Sequence, residues 1–166
     1  MNALVLILAL LVCPPWGSAT GSKLKALNQL KNRTGVPTTV WTLSLHDLLA
    51  ASGGDDAWHM GEGATIQGVV VGVRRGGPES SNCNRSGAEF EDVHVALAGA
   101  FNARPSKWVV VEITPHWRPI PWVDPFKCVG QTVRVTGWLV FDRTPTDSGR
   151  GTPWEIHPVT GIELVR

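Results

Sequence analysis

The sequence predicts a mainly β protein, a small five-stranded barrel with a short helical N-terminal extension. Three observations carry this. Five stretches after residue 63 alternate apolar and polar residues at period two, the mark of strands with one buried face. Polar segments rich in Gly, Ser, Pro and Asp separate those stretches. The composition, with 18 Gly, 12 Pro, 8 Trp and no Tyr, suits a β protein with many turns.

In chain order, Leu4 to Val12 is an uncharged apolar run of about nine residues, the length of a signal-peptide core and too short to span a bilayer. Gly17, Ser18 and Ala19 follow, so cleavage is expected after Ala19, although no Lys or Arg precedes the run. A buried N-terminal strand is the other reading. Val12 stands where a lipoprotein signal would place a small residue before Cys13. Export places the protein in the periplasm or outside the cell. The expected divisions are a leader at 1–19, a helical and linker segment at 20–62, and the barrel domain at 63–166.

About 147 residues would remain, enough for one domain with its own core. The formal charge of +1 gives no general attraction to nucleic acid or anionic membrane. With Cys13 removed, Cys83 and Cys128 form an even pair in an oxidising compartment. A disulfide between them would close about 45 residues and add a few kcal/mol. Two free thiols or a metal site are the competing readings, the latter without a second Cys or His at ligand spacing.

Leu24, Leu27 and Leu30 recur every third residue between lysines, which predicts a short amphipathic helix in the 22–35 stretch. Ser44 is placed to cap a second helix over 45–51, with Asp47 in its first turn and Gly53-Gly54 ending it. The first strand is expected over 65–74, with Gly68 and Gly72 marking bends or bulges. A long Gly/Ser/Asn loop carries Cys83. The second strand puts Val93, Val95 and Leu97 inward and Asp92 and His94 outward. The third puts Val109, Val111 and Ile113 inward and Trp108, Glu112 and Thr114 outward. A proline-rich connection from Pro115 to Cys128 is extended rather than helical.

The fourth strand places Val133, Val135, Leu139 and Phe141 on one face and Arg134, Thr136, Trp138 and Asp142 on the other. The fifth places Trp154, Ile156, Ile162 and Leu164 inward, with Glu155, His157 and Glu163 opposite. Pro158 lacks an N–H and belongs at an edge, bulge or bend. Five strands in this order, with a long segment between the third and fourth, fit a Greek-key barrel of the OB type. Spacing alone admits a β-sandwich as the alternative.

The pieces Glu79-Ser-Ser-Asn-Cys, Asp92-Val-His-Val-Ala-Leu, Val111-Glu-Ile-Thr-Pro, Val133-Arg-Val-Thr-Gly-Trp-Leu-Val-Phe-Asp and Trp154-Glu-Ile-His-Pro-Val resemble those of a group of uncharacterised exported bacterial proteins with OB-like domains. The resemblance runs from about 64 to 165, and its most specific part is the Trp-Glu-Ile-His-Pro-Val end. It implies a fold and a compartment but no reaction, because the group has no established activity. Two positions depart from it. Ser81 stands where members often carry another Cys, and Phe141-Asp-Arg lacks the His that often follows Phe-Asp.

One constellation points to chemistry. If the second, third and fifth strands are neighbours, Asp92, His94, Glu112, Glu155 and His157 share the outer face, where OB folds usually take ligands. Two imidazoles among carboxylates suit a divalent cation such as zinc or manganese, or an acid/base pair in a hydrolase. The plain alternative is a set of structural ion pairs tying loops to the barrel. Single-stranded nucleic acid is a further possibility, with Trp108 and Trp138 stacking bases and Arg74, Arg75, Lys107 and Arg134 meeting phosphates. Three acids on the same face oppose it. The expectation is therefore an exported binding or interaction module for a cation, a small ligand or a protein, with nucleic acid ranked below and enzyme activity left open.

Overall fold

A computed structural model describes residues 13–51, 58, 60–118, 123–143 and 149–166. The apolar N-terminal run, Gly53-Gly54, part of the proline-rich connection and the tip of the loop before Trp154 lie outside these residues. The chain builds helix α1 (Ser22–Lys31), strand β1 (Val40–Thr42), helix α2 (Leu45–Ala50), and strands β2 (Gly63–Arg75), β3 (Val93–Ala98), β4 (Val109–Ile113), β5 (Thr132–Phe141) and β6 (Trp154–Leu164). Hydrogen bonding runs β1-β2-β3-β4-β6-β5, and β5 returns to β2. Strands β2 to β6 thus close the five-stranded OB-type barrel that the alternation predicted. The short β1, parallel to β2 at Val40↔Gly63, is an addition.

Alternation decides the core, because successive side chains on a strand point to opposite faces. Val93, Val95 and Leu97 of β3, Val109, Val111 and Ile113 of β4, Val133, Val135 and Leu139 of β5 and Trp154 and Ile156 of β6 fill it. Trp154 sits edge-on between Trp58 and Phe141, with ring centroids 5.2 and 5.0 Å away. Leu164, expected inside, is 41 % exposed. It pairs with Val133 at the very end of the β5–β6 ladder, where no strand covers it.

Barrel closure needs local bending, and bulges supply it. One lies between Val70 and Gly72. Another puts two residues of β6, His157 and Pro158, against the single Trp138 of β5, between the pairs Leu139↔Ile156 and Gly137↔Val159. Pro158 therefore stands at a bulge, as its missing N–H requires. Gly137 is needed here for close approach. A Cβ on it would lie 2.4 Å from the Pro158 carbonyl oxygen and 2.6 Å from Ile156 Cγ2.

Helix α2 carries the expected cap: Ser44 Oγ accepts from the Asp47 N–H, and the Asp47 carboxylate accepts from the Ser44 N–H. Helix α1 corrects its prediction. Its buried residues are Asn28 and Lys31, while Leu24 is exposed. The leucine spacing suggested an apolar docking face, but the helix lies over polar groups and turns its polar edge towards them.

The disulfide is also corrected. Cys83 bonds Cys13, with Cα atoms 5.8 Å apart, not Cys128. Cys83 follows a 3₁₀ turn at Ser80–Asn82 and takes a left-handed conformation, and its sulfur meets the segment from Cys13 to Ala19. Cys128 is free, buried within the hydrophobic core, with Sγ 3.3 Å from the Asp124 carbonyl. The pairing by elimination rested on Cys13 leaving with a leader. In the folded chain the segment from Cys13 to Ala19 is a packed strap. Ser18 N–H donates to the Ser80 carbonyl at 2.8 Å, and Asn28 Nδ2 donates to the Trp16 carbonyl at 2.9 Å. Gly17, at φ 60°, lies so close to Ser80 that no side chain would fit.

Candidate functional site

The strand register assembles the polar cluster. His94 of β3 is directly opposite Glu112 of β4. Val111 pairs in parallel with Ile156, which brings Glu112 beside Glu155 and His157. Asp92 ends the loop just before β3. Because Val93, Val95, Val111 and Ile156 occupy the core, these five side chains leave by the other face, as expected.

That face is not open. His94, the least buried of the five, is 6 % exposed, and Glu155 and His157 are fully buried. Helix α1, the loop carrying Glu79 and Arg150 cover them. The expectation of an outer ligand face is corrected on this point. What the sequence reads as the outside of a barrel is here the inside of a second layer.

Both histidines converge on one atom, Oε2 of Glu112, His94 Nε2 at 3.3 Å and His157 Nδ1 at 3.1 Å. Their rings thus lie on the same side of the sheet and close together. His157 Nε2 is 3.3 Å from Asp92 Oδ2, and His157 Nδ1 is also 3.3 Å from Glu155 Oε1. His94 Nε2 is 3.6 Å from Oε1 of Glu79. On the far side, Lys31 Nζ lies 2.5 Å from Asp142 Oδ2 and 3.5 Å from Glu155 Oε1. Arg150 pairs with the other oxygen of Glu155 and donates to the Asp142 carbonyl.

The cluster therefore has two halves. In one, Lys31 and Arg150 balance Asp142 and Glu155. Burial alone would lower the Lys31 pKa, but Glu155, Glu112 and Asp142 hold it well above the usual lysine range. In the other, the carboxylates of Glu79, Asp92 and Glu112 face two imidazoles. Burial pushes Asp92 up, against the pull of His157. Burial would also raise Glu112, but His157, His94 and Lys31 outweigh it and keep its carboxyl ionised well below the usual range. Burial would lower His157, yet Glu112, Asp92 and Glu155 raise it well above 6.5.

The second half has the donor chemistry of a cation site. Ligand atoms of Asp92, Glu112 and His157 lie within 4.8 Å of one another, and so do those of Glu79, His94 and Glu112. Nitrogen and carboxylate donors of this kind suit zinc and manganese. Among the described residues, His94 Nδ1 and Nε2, His157 Nε2 and Glu112 Oε2 are buried without a well-formed hydrogen bond. Buried polar atoms seldom remain so, and each such case calls for a reason.

The two tryptophans named as base-stacking candidates are half-buried and engaged within the protein. Trp138 Nε1 donates to the Gly35 carbonyl at 2.8 Å, and the Arg33 guanidinium lies 4.2 Å from its ring centre. Trp108 Nε1 donates to the Ala103 carbonyl at 2.8 Å. Sequence reasoning missed Glu79, Lys31, Asp142 and Arg150 as members of the cluster. Asp142 was on the correct face by alternation. The other three come from a loop, a helix and a hairpin tip, for which period-two reasoning gives no direction.

No family model matches the chain, and no curated protein matches it. Among solved structures it is similar to asparaginyl-tRNA synthetase of Entamoeba histolytica in complex with asparaginyl-adenylate, at 14 % identity and a TM-score of 0.42. That match covers 78 % of this chain and 24 % of the synthetase. It is also similar to yeast Stn1 and Ten1, at 18 % identity and a TM-score of 0.42, over 84 % of this chain and 70 % of that one. At these scores the likeness adds nothing to the barrel already defined by the strand pairing. Among the described residues, no helix is long and apolar enough to cross a membrane.

Proposed function

We propose that this protein is an exported OB-type binding module that holds a divalent cation, zinc or manganese, in its buried cluster. Asp92, Glu112 and His157 are the ligands, and Glu79 and His94 form a second donor set that shares Glu112. The observation behind this reading is the convergence of imidazole nitrogens and carboxylate oxygens that fail to hydrogen-bond each other well. A cation accepts those lone pairs and offsets the excess of carboxylates, which a buried site otherwise leaves uncompensated. Glu155 serves as a positioning residue. It holds His157 from one side and is itself anchored by Arg150 and Lys31.

Export is supported by the disulfide, since such bonds persist in oxidising compartments. The stacking reading for nucleic acid is disfavoured because Arg33 occupies a face of Trp138. Metal analysis of protein purified without a His tag or chelator tests the cation reading. About one equivalent of zinc or manganese is expected in the wild type, with loss in His157→Gln and Glu112→Gln proteins that keep their near-UV spectrum. A metal-free wild type that takes up neither ion on titration would end the cation reading.

A further inference from the structure

A cavity of about 440 Å³ lies beside the cluster, bounded by the strap, the loop before β3 and the start of the connection after β4. Its volume is in the range of small-ligand pockets. Asp92 and Thr114 line it, and both are otherwise buried. Asp92 belongs at once to the cavity and to the candidate cation set. Thr114 is 3 % exposed, yet its Oγ1 has no hydrogen-bond partner among the described residues. A hydroxyl buried in that position is destabilising unless something meets it. Phe90, Pro115 and the strap prolines form apolar walls, and Arg85 and Glu89 add one charge of each sign. The Arg85 guanidinium lies 5.2 Å from the Phe90 ring centre, which brings its positive charge to the wall.

We propose that this cavity binds a small carboxylate with a short apolar or aromatic body, placed so that its carboxylate completes the coordination of the cation. The proposal rests on the cation reading. The Thr114 hydroxyl donates to one carboxylate oxygen, the ion takes the other, and the body lies along Phe90 and Pro115. Without the ion the cavity floor is acidic, through Asp92 and the carboxylates behind it, and repels an anion. Binding is therefore ordered, cation first.

Benzoate and manganese test the idea together. Bound Mn²⁺ relaxes water protons through its coordinated waters, and a ligand that displaces one lowers that enhancement. The wild type should enhance relaxation with Mn²⁺ alone, and benzoate should lower the enhancement saturably. Calorimetry should detect no benzoate binding to the manganese-free protein. Thr114→Val and, independently, Phe90→Ala should keep the manganese enhancement but need about ten-fold more benzoate. If benzoate leaves the enhancement unchanged, or both variants respond like the wild type, the carboxylate site is overturned while the cation reading stands. If benzoate binds equally well without manganese, the ordered site is wrong. If Mn²⁺ binds without enhancement, it holds no exchangeable water for a carboxylate to displace and the carboxylate site is overturned; if the wild type takes up neither Mn²⁺ nor Zn²⁺, both readings fall.

Discussion

Replacing Lys31 with methionine removes the buried ammonium that joins helix α1 to the barrel and keeps most of the hydrocarbon stem. Removing one partner of a buried ion pair costs about 3–5 kcal/mol, because the opposite charge keeps its desolvation penalty. Two carboxylates share this ammonium, Asp142 at 2.5 Å and Glu155 at 3.5 Å. Arg150 continues to compensate Glu155, so the loss falls mainly on the Asp142 contact and should be about 3 kcal/mol. In a chain of this size that is roughly 6–12 °C in Tm. Urea denaturation followed by tryptophan fluorescence measures it as a lower midpoint at unchanged slope. The Lys31→Met/Asp142→Leu double variant should recover much of the loss, since exchanging both members of a buried pair for apolar groups is often near neutral. A Lys31→Met protein within about 1 kcal/mol of the wild type, or single effects that simply add in the double variant, would refute the assignment of Lys31 as the anchor of α1.

Three further outcomes are expected. Peptide mapping should find Cys13 joined to Cys83, with Cys128 labelled by alkylating agents only after unfolding. Any leader is then cut before Cys13, and a mature chain starting at Thr20 would contradict the folded strap. The second concerns pH. The His157 pKa is raised in the folded chain, so in cation-free protein its pairing stabilises fully below 6.5, and that contribution is lost as pH rises through the folded value. Cation binding has the opposite sign, because the ligand is neutral imidazole. Mn²⁺ affinity should still be climbing above pH 6.5, by about ten-fold per unit for one released proton. Melting curves with and without Mn²⁺ from pH 6 to 9 that stay parallel would count against it. Third, Gly137→Ala should destabilise by about 1–3 kcal/mol, as its methyl meets backbone across the β5–β6 bulge. An unchanged melting temperature would show that the bulge can open at no cost.

Much of the barrel was legible because strand physics is local. Alternation at Val93/Val95, Val109/Val111 and Trp154/Ile156 fixes both the core and, by exclusion, the face of His94, Glu112 and His157. The same reasoning could not see that this face is covered. Coverage depends on Lys31, from a helix whose leucines gave the stronger periodic signal, on Arg150, and on the Glu79 loop, which Asn28 and a strap read as part of a leader hold in place. The disulfide failed for a related reason. Counting cysteines after removing Cys13 leaves one pairing, but Cys128 follows a turn that directs its thiol into the core. Leu164 failed because alternation gives direction and not whether a neighbour is present at the strand end.

The cover has a consequence for the order in which the molecule is assembled. Asn32 anchors to Ser81, 49 residues further along, and Lys31 to Asp142, 111 residues further along. The residues synthesised first must wait for those synthesised last. Such distant closures are slow to form, because the intervening chain has to be ordered before they contribute. The disulfide tethers the strap at Cys83, whereas α1 is held chiefly by polar bonds rather than by apolar burial, so it forms a layer that can lift while the barrel stays intact. In native-state hydrogen exchange, amides of α1 should open at a lower free energy than those of β3 and β4, and the histidines and carboxylates beneath would meet water each time they do.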